Sequence, residues 1–376
     1  MRRLGPFTLG ARLGSGALGE VFLAVGSTGE LVAVKKYNSK FGRDLGFIRD
    51  LTTDLEAARA LRLKTIARVV DDGREGDQLW AAHQAIAGQT LASILKRARL
   101  ESVPLSPALL AWIGAELAEA LTALHGAERA DGRRGFVLGR MSMRDVLISY
   151  GGRVFLTGVG ESRARARTPV PSRRLPYCAP EVASGREPSV RSDVFSLSAI
   201  LYELFAGTPA FRRSDDDATA EAVRRGDVVP LRPVRLGVEP RIGDLIMQGL
   251  LPRPEARPAR VADVGVLLRD AAGADVESHA QELGAIVSEL FREPLESWHR
   301  MTAALVPERT RDTLDLRPAN DAPSPPDVEA DDEAPILLTE RPSAEPAAPE
   351  LDRDRGVSPD EVPTERNRVS TDDRSE

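Results

Sequence analysis

Between residues 7 and 37 the chain alternates short apolar runs with glycine, and this stretch restricts the fold more than any other. Phe7 to Leu13, Val21 to Val25 and Leu31 to Tyr37 read as strands separated by glycine-rich turns, the pattern of an antiparallel sheet. The first turn is Leu13-Gly14-Ser15-Gly16-Ala17-Leu18-Gly19-Glu20-Val21, a G-x-G-x-x-G-x-V run. Glycines of this spacing that follow a strand and open a helix bind dinucleotides. Here they lie between two strands, which excludes that fingerprint. Val32-Ala33-Val34-Lys35 follows. Strand alternation puts Ala33 and Lys35 on one face and Lys36 on the other. An apolar Ala to cover a base and a Lys to reach phosphates, both on that face, make a nucleotide site.

Helical patterns dominate after these strands. Leu109 to Leu124 is a long amphipathic helix, and Ser192 to Ala206 is nearly all apolar, so it is expected to be central and buried. Strands first and helices second predict an α+β body of two lobes. With 42% apolar residues the chain has ample material for a core. Val276, Leu283, Ile286, Val287 and Leu290 fall on one helical face, and Leu295, Trp298 and Leu305 suggest a second short helix with Pro294 in its first turn. These two helices are expected to pack on the larger lobe.

From Pro307 to Glu376 the character changes. This stretch holds 20 acidic residues, nine arginines, no lysine and no aromatic residue, a local charge of −11. Since the whole chain carries −6, the remaining residues carry +5. Prolines recur throughout it, and such a composition predicts disorder. Ile336-Leu337-Leu338 is one apolar island there, read either as a docking motif or as a solvated accident. Elsewhere no apolar run is expected to span a bilayer, and no apolar signal core follows Met1-Arg2-Arg3. Cys178 is the single cysteine, so no internal disulfide is possible and a reducing, cytoplasmic setting is expected.

Residues 7 to 270 resemble the eukaryotic-like (Hanks-type) protein kinases, most of all the bacterial Ser/Thr branch. Besides the glycine turn and Lys35, the resemblance rests on Leu175-Pro176-Tyr177-Cys178-Ala179-Pro180-Glu181, on Ser192-Asp193-Val194-Phe195-Ser196-Leu197 and on Arg257-Pro258. It implies a bilobal fold with a small lobe over 1–86, a large helical lobe over 87–272, a helical extension over 273–306 and the acidic tail over 307–376. It also implies nucleotide contacts from Leu13, Gly14, Gly16, Gly19, Val21, Ala33, Lys35 and Leu147. Glu181, Asp193 and Arg257 take structural roles, with Glu181 and Arg257 as a buried ion pair.

The chemistry-bearing positions depart from that family. Its catalytic loop, H-R-D-x-x-x-x-N, corresponds to Leu138, Gly139, Arg140 and, four residues later, Asp145; its D-F-G corresponds to Gly158-Val159-Gly160. A guanidinium at 140 cannot accept a proton near neutral pH. Gly158 has no side chain to hold Mg²⁺. Asp145 is either a weak metal ligand or a loop-capping Asp. Leu138 and Val159 replace the His and Phe of an apolar stack with usable aliphatics. Helix periodicity over Asp54, Ala58 and Leu61 turns Asp54, not Glu56, toward Lys35. Gly88 resembles the glycine before a helix start, so Trp80 to Ile86 is strand and hinge, and His83 a core residue at the gate of the pocket. Arg163, Arg165, Arg167, Arg173 and Arg174 make a basic loop, either solvated or attractive to an anion such as the acidic tail. Thr168 and Ser172 lie among them as acceptors for a partner kinase.

Two functions follow from the resemblance and its losses. The first is a catalytically silent kinase, a pseudokinase, that holds ATP weakly or not at all, with weak or no Mg²⁺, and acts as a signalling scaffold for active kinases or their substrates. The second is a working Ser/Thr kinase with relocated residues, Asp145 among them. A sequence pI near 5.6 and the lack of a basic aromatic surface argue against nucleic acid.

Overall fold

The computed structural model describes residues 2–129, 132, 134–231 and 239–305. The acidic, proline-rich segment with its Ile336-Leu337-Leu338 island lies outside the described residues.

The glycine-punctuated start forms a six-stranded antiparallel sheet in the order β1-β2-β3-β4-β6-β5. Its strands are β1 (Arg2–Leu4), β2 (Phe7–Gly16), β3 (Gly19–Val25), β4 (Leu31–Tyr37), β5 (Val69–Glu75) and β6 (Gln78–Gln84). The β2–β3 hairpin closes through Gly16 opposite Gly19. Between β4 and β5 runs α1 (Leu45–Arg59), capped by Asp44, whose carboxylate accepts from Phe47 N at 2.9 Å. Phe47, Leu51, Leu55 and Ala58 recur on the buried side of α1, which is the stripe a packed helix needs.

The larger lobe begins with β7 (Gly88–Thr90), which pairs with β8 (Val146–Ser149), itself paired with β9 (Val154–Leu156). Thr90 caps α2 (Leu91–Leu100), and Ser106 caps α3 (Pro107–Gly126), with proline in its first turn. By length and composition α3 would suffice to cross a membrane. That corrects the expectation that no apolar run reaches this length. Here α3 packs against α6 (Val190–Ala206) and α9 (Ala262–Ala272) and buries Trp112, Leu117 and Leu121. As its composition predicts, α6 is the central helix, with every residue from Ser192 to Phe205 buried. Shorter helices α4 (Ser162–Ala166), α5 (Pro180–Ala183), α7 (Asp216–Arg225) and α8 (Pro240–Gly249) complete the lobe.

The extension forms α10 (Val276–Leu290) and α11 (Arg292–Leu305). α10 packs on α2, α3 and β8 of the large lobe. Gly284 permits that approach: a Cβ there would stand 2.9 Å from the backbone of Tyr150 and Gly151. α11 departs from the expectation of packing on the large lobe. It lies against β2, where Trp298, Met301 and Leu305 join Leu13, Leu23, Val25 and Leu31 in one apolar cluster with Ala87 and Tyr150. Alternation along β3 explains it, because Val21, Leu23 and Val25 share a face. Val21 lines the cleft, and α11 covers the continuation of that face.

Candidate functional site

A cavity of about 340 Å³ opens between the sheet and the large lobe. Leu13, Gly14, Gly16, Gly19, Val21, Ala33, Lys35 and Leu147 all line it. The β3–β4 register sets Val21 opposite Lys35 and Leu23 opposite Ala33, so Ala33 and Lys35 face the cavity together. His83 also lines it, on a strand position beside Ala33. Burial pushes the His83 imidazole down to about 4, so it is neutral at neutral pH.

Lys35 does not reach α1. Its Nζ donates to Glu161 Oε2 at 2.8 Å, and Tyr37 Oη donates to Glu161 Oε1 at 2.7 Å. Burial pushes the Lys35 ammonium below its ordinary value against the pull of Glu161. The expectation that Asp54 serves as the helix acid is therefore corrected. Asp54 is buried on the expected face of α1, but it accepts from Arg163 N at 3.0 Å and Arg163 Nε at 2.7 Å. The shorter Asp side chain is met by the loop that approaches it. No local pattern points to Glu161, which lies 126 residues from Lys35; the one signal in the sequence is that α1 offers no Glu in register.

Glu161 and Asp145 are joined by one guanidinium. Arg165 Nη1 donates to Asp145 Oδ1 at 2.9 Å, while its Nη2 and Nε donate to Glu161 Oε2 at 2.9 and 3.1 Å. Arg174 adds a second cation, with Nη2 donating to Asp145 Oδ1 at 2.9 Å and Nη1 to Oδ2. Ser142 donates to Asp145 Oδ2 from N at 2.9 Å and from Oγ at 3.0 Å. Burial alone would raise the Asp145 carboxyl, but Arg174 and Arg165 outweigh it and hold the group well below the carboxylate range. Glu161 is likewise held far down, by Lys35 and Arg165 against its burial.

The metal-ligand expectation for Asp145 is corrected by these contacts, because both of its oxygens already accept from arginine. Gly158 sits at φ +74°, and a Cβ there would stand 2.9 Å from Arg165 Cζ. The residues present therefore do not fit the Mg²⁺ that the catalytic arrangement requires. Among the described residues no group of three or more His, Cys, Asp or Glu side chains could hold a metal ion.

Arg140, at the position of the base, is 8% exposed. Its Nη1 donates to the carbonyls of Arg165 at 2.8 Å and Thr168 at 2.7 Å. It fastens the loop that carries Arg165 and accepts no proton. The five arginines expected to form a solvated or anion-seeking loop are mostly engaged within the body: Arg163 with Asp54, Arg165 and Arg174 with Asp145, and Arg167 with Asp50. Arg173 is exposed at the cavity wall. Thr168 Oγ1 donates to Arg165 O at 2.8 Å, and Ser172 Oγ donates to Asp216.

Around this site stand the three structural residues. Asp193 accepts from Leu138 N at 2.9 Å and Gly139 N at 2.7 Å, pinning the loop from below. Glu181 and Arg257 meet in two hydrogen bonds of 2.8 and 2.9 Å. Ser192 Oγ also donates to Glu181, and Arg257 lies over the Phe195 ring.

Residues 7–261 match the model of the protein kinase domain family. Among curated proteins the chain is similar to the serine/threonine-protein kinase PknH of Mycobacterium tuberculosis, 26% identical over 74% of this chain and 44% of that protein. It is also similar to the serine/threonine-protein kinase AfsK of Streptomyces coelicolor, 33% identical over 56% of this chain and 26% of that one. The chain thus spans less than half the length of either relative. Among solved structures, the Mycobacterium tuberculosis PknI kinase domain superposes with a TM-score of 0.54 at 23% identity, covering 72% of this chain and 98% of that one.

Proposed function

The chain belongs to the protein kinase family, in its bacterial Hanks-type Ser/Thr branch, and from that premise we propose a signalling module that does not transfer phosphate. The observation that carries this reading is Arg165. Its guanidinium fills the space beside Gly158 and ties up Asp145 and Glu161. Phosphoryl transfer in this family relies on a metal bridging the phosphates and on an aspartate that accepts the substrate hydroxyl's proton. Loss of the base alone costs roughly 10²- to 10⁴-fold in rate. Loss of the metal removes the group that neutralises the transferred charge.

A working kinase with Asp145 as its base gains no support, because a carboxylate that accepts from two guanidiniums is a poor proton acceptor. The module's work is then binding. Its partners are other proteins, active kinases or their substrates, and its setting is the cytoplasm. The buried Glu181–Arg257 pair and the Asp193 anchor support a fold kept for its shape.

The test is transfer of labelled γ-phosphate from ATP to itself and to a generic protein substrate, with Mg²⁺ and with Mn²⁺, beside an active Ser/Thr kinase as control. No transfer above background is expected. Transfer by the wild type that disappears in Lys35→Ala would overturn the reading.

A further inference from the structure

We propose that the Arg165 guanidinium stands in place of the divalent cation in this cleft, which accordingly takes a nucleoside triphosphate as the free polyanion rather than as its magnesium complex. This rests on the kinase-family cleft described above, and deepens the silent reading by naming its ligand.

Three observations carry it. First, the position is right. One guanidinium bridges Asp145 and Glu161 at 2.9 Å each, two carboxylates that line the cavity. It also fills the volume into which a side chain at 158 would project. Second, the charge is right. Lys35, Arg140, Arg144, Arg165, Arg173 and Arg174 line the cavity against Asp145 and Glu161, six cations to two anions, a formal net of +4. A free triphosphate carries about four negative charges and its magnesium complex about two, so the metal weakens the attraction here. Third, part of the cavity lining is apolar. Val21 and Ala33 line it from the sheet and Leu147 from β8 of the large lobe, which gives a purine ring its walls. Guanidinium is held ready by its own carboxylates and offers planar donors to phosphate oxygens.

The experiment is calorimetric titration of the full chain with ATP, once in EDTA and once in excess Mg²⁺, with adenosine and tripolyphosphate titrated separately. Saturable ATP binding in EDTA is expected, weakened roughly tenfold by Mg²⁺. ATP should bind more tightly than either fragment. Arg165→Ala should lose about ten- to a hundredfold in EDTA. It also takes one cation from each carboxylate while Arg174 stays on Asp145 and Lys35 on Glu161, so the weakening by Mg²⁺ should shrink; Arg165→Lys should keep the wild-type weakening. Should Arg165→Ala fail to fold, the wild-type comparison decides alone.

The proposal falls if ATP binds only with a divalent ion, or does not bind at all. It falls equally if tripolyphosphate matches ATP, or if Arg165→Ala retains the wild-type metal response. Metal-dependent binding without phosphoryl transfer would sink this inference and leave the silent module standing. Phosphoryl transfer would sink the module reading itself.

Discussion

Replacing Glu161 by Gln should be among the most damaging single changes in the cleft, and the contacts give its size. The carboxylate is 1% exposed and accepts from Lys35 Nζ, Tyr37 Oη and two nitrogens of Arg165. Glutamine keeps the volume but removes the charge, and its NH₂ would point at a donor. Truncating one member of a buried ion pair costs about 3–5 kcal/mol, because its partners stay buried without compensation. Lys35→Met is the matched control. Glu161 then keeps Arg165, so the loss should be only about 1–2 kcal/mol. Urea unfolding followed by circular dichroism measures both, with an unchanged slope expected. The acid dependence is a second check. The folded-state pKa of Glu161 lies below its ordinary 4.5. Its contribution is therefore complete above pH 4.5 and drains away as pH falls toward the folded value. The gap between wild type and Glu161→Gln should shrink from pH 7 to pH 3. A deficit under about 1 kcal/mol at pH 7, or one equal at both pH values, would refute the assignment of Glu161 as the hub of this network.

Two further changes test the scaffold. Arg257→Ala strands Glu181, which is 4% exposed, and should cost about 3–5 kcal/mol by denaturant midpoint; an effect under about 1 kcal/mol would remove the pair from the list of structural supports. Trp298→Ala should cost about 3–5 kcal/mol and raise amide exchange in β2 and β3 more than in α6, whereas exchange rising only within α11 would show that the helix does not brace the sheet.

Much of the small lobe was legible because its signals are local. The alternation of Val21, Ala33 and Lys35 and the glycines between them determine which side chains share a face, whatever the rest of the chain does. Burial of α6 was equally legible from its largely apolar composition. What escaped was pairing at long range. Periodicity placed Asp54 on the buried face of α1 but could not say that Arg163 would arrive there before Lys35. The empty position at Gly158 was visible, whereas its filling by a side chain seven residues later was not, since a short helix after a glycine turn brings Arg165 back over it. The apolar stripe of α11 was readable too, but a stripe carries no address, and this one settled on the sheet.

That address has a thermodynamic consequence. α10 is seated on one wall of the cleft and α11 on the other, so the chain straddles the hinge like a strut. Any ligand that alters the spacing of the walls must change the free energy with which Trp298 and Leu305 hold the sheet. By reciprocity, whatever lifts α11 alters that ligand's affinity by the same factor. Occupancy of the interior and the seating of one outer helix are thus two readings of a single equilibrium.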